Sequence, residues 1–198
     1  MIDRFFIYIY QLGYKELICF GIMFLLTFHE LRQCFGQDPW FLKICRAALL
    51  IWAAVVLHTT VWSRNGGGEY HVQWIPFHSY RAVLTGGNPE ILRSNFMNVL
   101  LFFPVGLLFA GQMSRHGTFG KHLVSTVLVF SLFSLGIELA QFSLGLGMGE
   151  VDDVLHNTLG AMLGVSATSL TDRFRPAKQK TMNKQGGGIV GNIGHSDL

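Results

Sequence analysis

The chain has 198 residues, half of them hydrophobic and only 14% charged, with a net charge of +3. Soluble domains carry about 25% charged residues, so this composition excludes an ordinary soluble globule and makes the bilayer the expected solvent. The positive excess sits in short loops and at the C-terminus. No Lys/Arg stripe with interleaved aromatics is present, which argues against nucleic acid as a partner.

Residues 1–14 are aromatic and amphipathic (Phe5, Phe6, Tyr8, Tyr10, Tyr14), the pattern of an interfacial segment. They lack the basic start and small-residue cleavage site of a signal peptide. Residues 15–31, centred on LICFGIMFLLTF, are just long enough to cross a bilayer. The second expected span is 44–62, with Trp40 and Trp62 at its two interfaces. Residues 63–94 form the longest polar connection and contain Gly66, Gly67 and Gly68. Spans at 95–113 and 121–144 follow, joined by a short polar loop. A tight acidic turn rich in glycine, 145–152, leads into the least hydrophobic span, 153–170. The reading is an all-α, polytopic membrane bundle of about five transmembrane helices, or four if the first apolar segment stays at the interface. Three regions result: an N-terminal membrane region (1–70), a three-span domain (71–170), and a basic, then Gly-rich tail (171–198) expected to be disordered.

Ten of the fifteen Lys and Arg residues fall on one side of this five-span arrangement. That side is expected to be cytoplasmic, together with the C-terminus, so 63–94 and 145–152 face outward. The three cysteines, Cys19, Cys34 and Cys45, form no CxxC pair and are expected to be buried free thiols.

Polar groups converge at one depth. Glu138 and Gln141 stand three apart near the outer end of the fourth span, and Asn95 and Asn98 three apart at the start of the third. Asp153 and Asn157 stand four apart at the start of the fifth, each pair sharing a helix face. At 1.5 Å rise per residue, Glu138 lies about 9 Å inside the outer boundary, Asn98 and Gln141 about 5 Å, and Asn157 about 6 Å. A carboxylate inside a span costs about 2.5–3.5 kcal/mol on insertion scales unless a partner or water meets it. The expected result is an outward-open polar cleft holding Asn98, Glu138, Gln141, Glu150, Asp152, Asp153 and Asn157. Two plainer roles stay open: Asn98 and Gln141 as interhelical hydrogen bonds, and Asp152 and Asp153 as caps of the fifth helix. Neither explains Glu138. Pro104 is expected to kink the third span and Gly106 to ease the bend, while Gly160 and Gly164 form a small-residue packing face. His71, His78 and His156 are scattered, and with Glu150 and Asp152 they define no ligand set. Neither a metal nor a cofactor is expected.

Four blocks carry a resemblance: Pro76-Phe77; NVLLFFPVGLLF (98–109); IELAQF (137–142); and GMGEVDDVLHNTLGAMLG (147–164). In that order they resemble the VanZ-like family, over residues 74–165. Some members carry a basic residue in the turn before the acidic cluster, whereas 142–151 has none, and Glu150 stands where many members have Asp. The resemblance implies a bacterial plasma-membrane protein, the founding member being associated with low-level resistance to teicoplanin. The partners then expected, besides lipid, are a cell-wall precursor or a glycopeptide bound in the acidic cleft. The competing expectation is a membrane enzyme acting on a lipid-linked envelope substrate, with Glu138 as general base and Asp153 and Asn157 positioning the substrate. A transporter fits less well, because five spans leave little room for an inverted repeat and none is found.

Overall fold

The computed structural model describes residues 14–36, 38–64, 71–86, 90–113 and 118–173. The expected interfacial segment, the triple glycine and almost all of the C-terminal tail lie outside the described residues. Six α-helices make up most of the described chain: α1 (Tyr14–Phe35), α2 (Pro39–Leu57), α3 (His78–Leu84), α4 (Glu90–Gln112), α5 (Phe119–Ser143) and α6 (Val151–Arg173). Three helical stretches are long and apolar enough to cross a membrane: Pro39–Trp62, Glu90–Gln112 and Phe119–Ser143.

Local sequence sets the helix ends. Pro39 opens α2 at a position where its missing N–H is not needed. The far end of α2 widens into a π-turn, His58–Trp62. There Thr59 and Thr60 return their hydroxyls to the carbonyls of Val55 and Val56, which competes with regular α-helical bonding. At the C-terminal end of α5 the chain reverses through a glycine-dependent turn. Gly145 takes φ +62°, the Gly145 N–H donates to the Phe142 carbonyl, and the Leu146 N–H donates to the Gln141 carbonyl. That reversal brings β2 (Gly149–Glu150) alongside β1 (Val72–Gln73) in a short parallel pair. The all-α expectation therefore holds except for this one bridge.

The centre of the bundle is the crossing of α4 and α6. A Cβ on Gly160 would run into the Val99 carbonyl, one on Gly106 into the Ala161 carbonyl, and one on Gly164 into the Phe103 carbonyl. Gly106 thus serves close approach of two backbones. Around the crossing, Val56, Phe102, Val105, Phe130, Ile137 and Ala161 form a buried cluster. Trp52 ties α2 to α4 by donating its indole N–H to the Leu101 carbonyl at 3.0 Å.

The helix α6 has an inverted pattern. Asp152, His156, Asn157 and Thr168 are buried, whereas Leu155, Leu159, Leu163 and Leu170 are exposed. Helix α1 lies along α4, with Gly21 against Leu100 and Phe28 beside Gly111. At its far end, buried Arg32 donates to the Ala110 carbonyl and pairs with Asp172 at 3.0 Å. Because α1 packs on one side only, Cys19 and Cys34 are exposed; of the three free thiols only Cys45 is buried, which corrects the expectation for the other two.

Candidate functional site

The predicted polar residues meet where the N-terminal ends of α4 and α6 adjoin the C-terminal end of α5, in two separate networks. The first centres on Glu138 and Asp153. Glu138, buried on α5, accepts through Oε2 a hydrogen bond from the Glu150 N–H at 2.9 Å. That contact exists because the Gly145 turn folds the chain back over its own helix end. Asp153, the third residue of α6, accepts through Oδ1 from Asn98 Nδ2 at 2.7 Å. The Asp153 charge acts on Glu138 across the gap between α6 and α5. One turn further in, Asn157 donates its Nδ2 to Ser134 Oγ at 2.8 Å. Since Ser134 lies one turn below Glu138, and Asn157 one turn below Asp153, this bond closes the floor beneath the carboxylates.

Gln141 reaches elsewhere. Its Nε2 donates to the Thr60 carbonyl at 2.9 Å and fastens α5 to the π-turn of α2. The amide oxygens of Gln141 and Asn157 are both buried and accept no hydrogen bond from the protein.

Arg64 was not singled out from the sequence. It follows the π-turn, sits at the rim with its guanidinium against Gly147, and its charge acts on both Glu138 and Asp153. Gly147 has φ +146°, and a Cβ there would stand 3.3 Å from Arg64 Nη1. The turn 142–151 lacks a cation of its own, and α2 supplies one across space.

The second network belongs to Asp152. Its carboxylate accepts from the Phe77 N–H and from the N–H and Oγ–H of Ser79, the Ser79 N–H at 2.9 Å. Asn95 Nδ2 joins by donating to Ser79 Oγ at 2.9 Å, and His156 Nε2 meets the Tyr80 hydroxyl at 2.7 Å. Asp152 is therefore engaged with the segment entering α3 and does not contribute its carboxylate to the Glu138 group. The reason is helical: residues 152 and 153 point about 100° apart, so only Asp153 shares the face of Asn157. The network also accounts for the Pro76-Phe77 block. Phe77 takes φ +60°, a left-handed conformation disfavoured by about 1–2 kcal/mol for a residue with a Cβ, and Asp152 holds the amide that this conformation presents. Asp152→Ala should cost about 1–3 kcal/mol, since it strands buried donors that bond a charged acceptor. Amide hydrogen exchange at 71–86 is expected to accelerate in the variant; unchanged protection there would show that the segment is held by other contacts.

Among the described residues, no group of three or more His, Cys, Asp and Glu side chains is placed to hold a metal. Phe77, Asp152 and Asn95 thus assemble a latch, while Asn98, Glu138, Glu150, Asp153 and Asn157 form a second polar group, with Arg64 nearby.

A family model described as VanZ/LLP1 matches residues 40–172. The chain belongs to the VanZ/LLP1 family. It is similar to Protein VanZ of Enterococcus faecium, with 32% identity over 142 residues, which cover 69% of this chain and 81% of that protein. No solved structure matches. The family match reaches back to residue 40 and so takes in α2, where the sequence alone showed no resemblance. Within the VanZ/LLP1 region, the π-turn that ends α2 contributes the Thr60 carbonyl that receives Gln141, and Arg64 stands two residues beyond it.

Proposed function

We propose that the chain is a five-span protein of the bacterial plasma membrane, with its C-terminus in the cytoplasm. Its Glu138–Asp153 network would form an outward-facing notch that binds a polar group of an envelope precursor or a glycopeptide, and through that affects teicoplanin susceptibility. The observation that carries this reading is the approach of Glu138 and Asp153 from two different helices, at a depth where water is scarce. A contact needed only for packing is served by Asn or Ser at lower cost.

The five-span arrangement is supported beyond the three most apolar helices. With 22 residues, α1 is about 33 Å long, enough to cross the hydrocarbon core. It lies beside α4 from Gly21 to Arg32, and Arg32 meets the inner ends of both α4 and α6. In α6, leucines outward and polar groups inward is the arrangement expected of a helix in lipid. The exposed residues Trp74 and Met148 would then lie outside the cell. In a cysteine-free background, Trp74→Cys and Met148→Cys are expected to react with a membrane-impermeant maleimide in intact cells; protection of both would reverse the orientation.

The paired carboxylates also favour a second reading, a membrane enzyme with Glu138 as general base. Purified protein separates the two. Ligand binding without turnover supports the binding module, and a turnover lost in Glu138→Gln supports the enzyme. For either reading Glu138→Gln, which keeps shape and removes charge, should lower the teicoplanin phenotype several-fold at unchanged membrane levels. A variant indistinguishable from the parent would remove Glu138 from the site.

A further inference from the structure

We propose that the notch takes a zwitterionic headgroup, with a primary ammonium held on the Glu138–Asp153 carboxylates and its neighbouring phosphate on Arg64. The inference rests on reading the notch as a ligand site and adds the chemistry of the ligand.

The inner lining is almost purely accepting. Glu138 and Asp153 each have one oxygen occupied, by the Glu150 N–H and by Asn98 Nδ2, which leaves the other oxygen of each carboxylate for a ligand. One further acceptor borders them: the amide oxygen of Asn157, on a side chain 4% exposed, which no described donor satisfies. Asn157 is fixed at this level by its bond to Ser134, one turn below Glu138. Buried acceptors without donors carry a desolvation penalty, and a guest rich in N–H groups relieves it. A primary ammonium offers three donors and a positive charge, whereas a hydroxyl offers one donor and a quaternary ammonium none.

The charge balance points the same way. Glu138, Asp153 and Glu150 face one guanidinium, so the site favours a cation. A divalent metal fits worse. It needs six or more oxygens in a tight shell, two carboxylate oxygens are already engaged, and Arg64 repels a double charge twice as strongly as a single one. Arg64 itself is exposed and stands at the mouth beside Gly147, where no side chain intervenes. A guanidinium at that place matches a phosphate, which it can bind with two parallel N–H groups. Cation inside and anion at the rim define a ligand whose ammonium and phosphate are joined by a short linker. Such a headgroup is offered by an ethanolamine phospholipid in the outer leaflet or by a water-soluble phosphoethanolamine.

Native mass spectrometry tests the assignment on the full chain in detergent. The protein is mixed with equimolar phosphatidylethanolamine, phosphatidylcholine and phosphatidylglycerol of identical acyl chains. The ethanolamine lipid is expected to be retained at least fivefold over the other two, and this preference to vanish in Glu138→Gln combined with Asp153→Asn. Arg64→Gln, at an exposed position, keeps the fold and should lower ethanolamine-lipid retention at least fivefold. Displacement of the bound lipid by free phosphoethanolamine assigns the soluble source; a preference without displacement assigns the lipid. Equal retention of the three lipids without competition by phosphoethanolamine overturns the proposal, as does a preference that survives both the double variant and Arg64→Gln. If the preference is absent while Glu138→Gln still lowers the teicoplanin phenotype, the headgroup assignment falls and the notch remains the functional site.

Discussion

Gly160→Val is expected to stop the bundle from assembling, so that the detergent-purified variant aggregates at temperatures where the parent stays monodisperse. At this position α6 meets α4 backbone to backbone, and any Cβ collides with the Val99 carbonyl. A main-chain carbonyl inside a helix cannot swing aside as a side chain can. Relief therefore requires the two helices to separate, and separation also breaks the contacts at Gly106 and Gly164 that lie along the same seam. Ordinary overpacking of a core costs about 1–3 kcal/mol. A rigid clash shared by three contacts should exceed that range, and lipid supplies no hydrophobic drive to compensate for lost packing between helices. Gly136→Ala is the control, since a Cβ there meets nothing within 4 Å. It should melt as the parent does. Should Gly160→Val melt within a degree or two of the parent, the close crossing of α4 and α6 would not be what holds this bundle together.

Hydropathy and helical period together made much of this arrangement legible in the sequence. The long helices follow from apolar runs, and the shared faces of Asp153 with Asn157 and of Glu138 with Ser134 follow from 3.6 residues per turn. Separating Asp152 from Asp153 was equally available from period, because adjacent residues of a helix cannot face the same cleft. Grouping them as one acidic cluster missed it. What the period could not supply was the return of the Gly145 turn, whose two-residue strands are too short to show alternation. Gln141 shares a face with Glu138 by spacing, yet a three-residue step leaves them about 60° apart, enough for Gln141 to reach α2 instead. Arg64 left only an indirect signal. Three carboxylates near one another call for a cation, and none stands in their own turn, so one had to arrive from another span. The basic residue two positions after Trp62, just past the π-turn that ends α2, was the local choice.

Glu138→Gln combined with Asp153→Asn should abolish the effect on teicoplanin susceptibility, whereas truncation after Arg175 should behave as the parent. The double substitution keeps side-chain size, and Asn at 153 can still accept from Asn98, so the bundle should insert at parental levels, checked by membrane fractionation. What it removes is both carboxyl groups that the fold holds at the adjoining ends of α5 and α6. Holding two carboxylates near each other in a partly dry site works against stability. A gain in thermal stability in the double variant, together with loss of the phenotype, would therefore be consistent with residues kept for activity at the expense of packing. The truncation leaves the Arg32–Asp172 pair that joins α1 to α6 untouched, together with every residue of the notch and of the latch at α3. It removes three lysines, Lys178, Lys180 and Lys184, while Arg173 and Arg175 remain. If the double variant keeps full activity and the truncation loses it, the function lies at the cytoplasmic face, and the buried carboxylates need a structural explanation that their partners here do not provide.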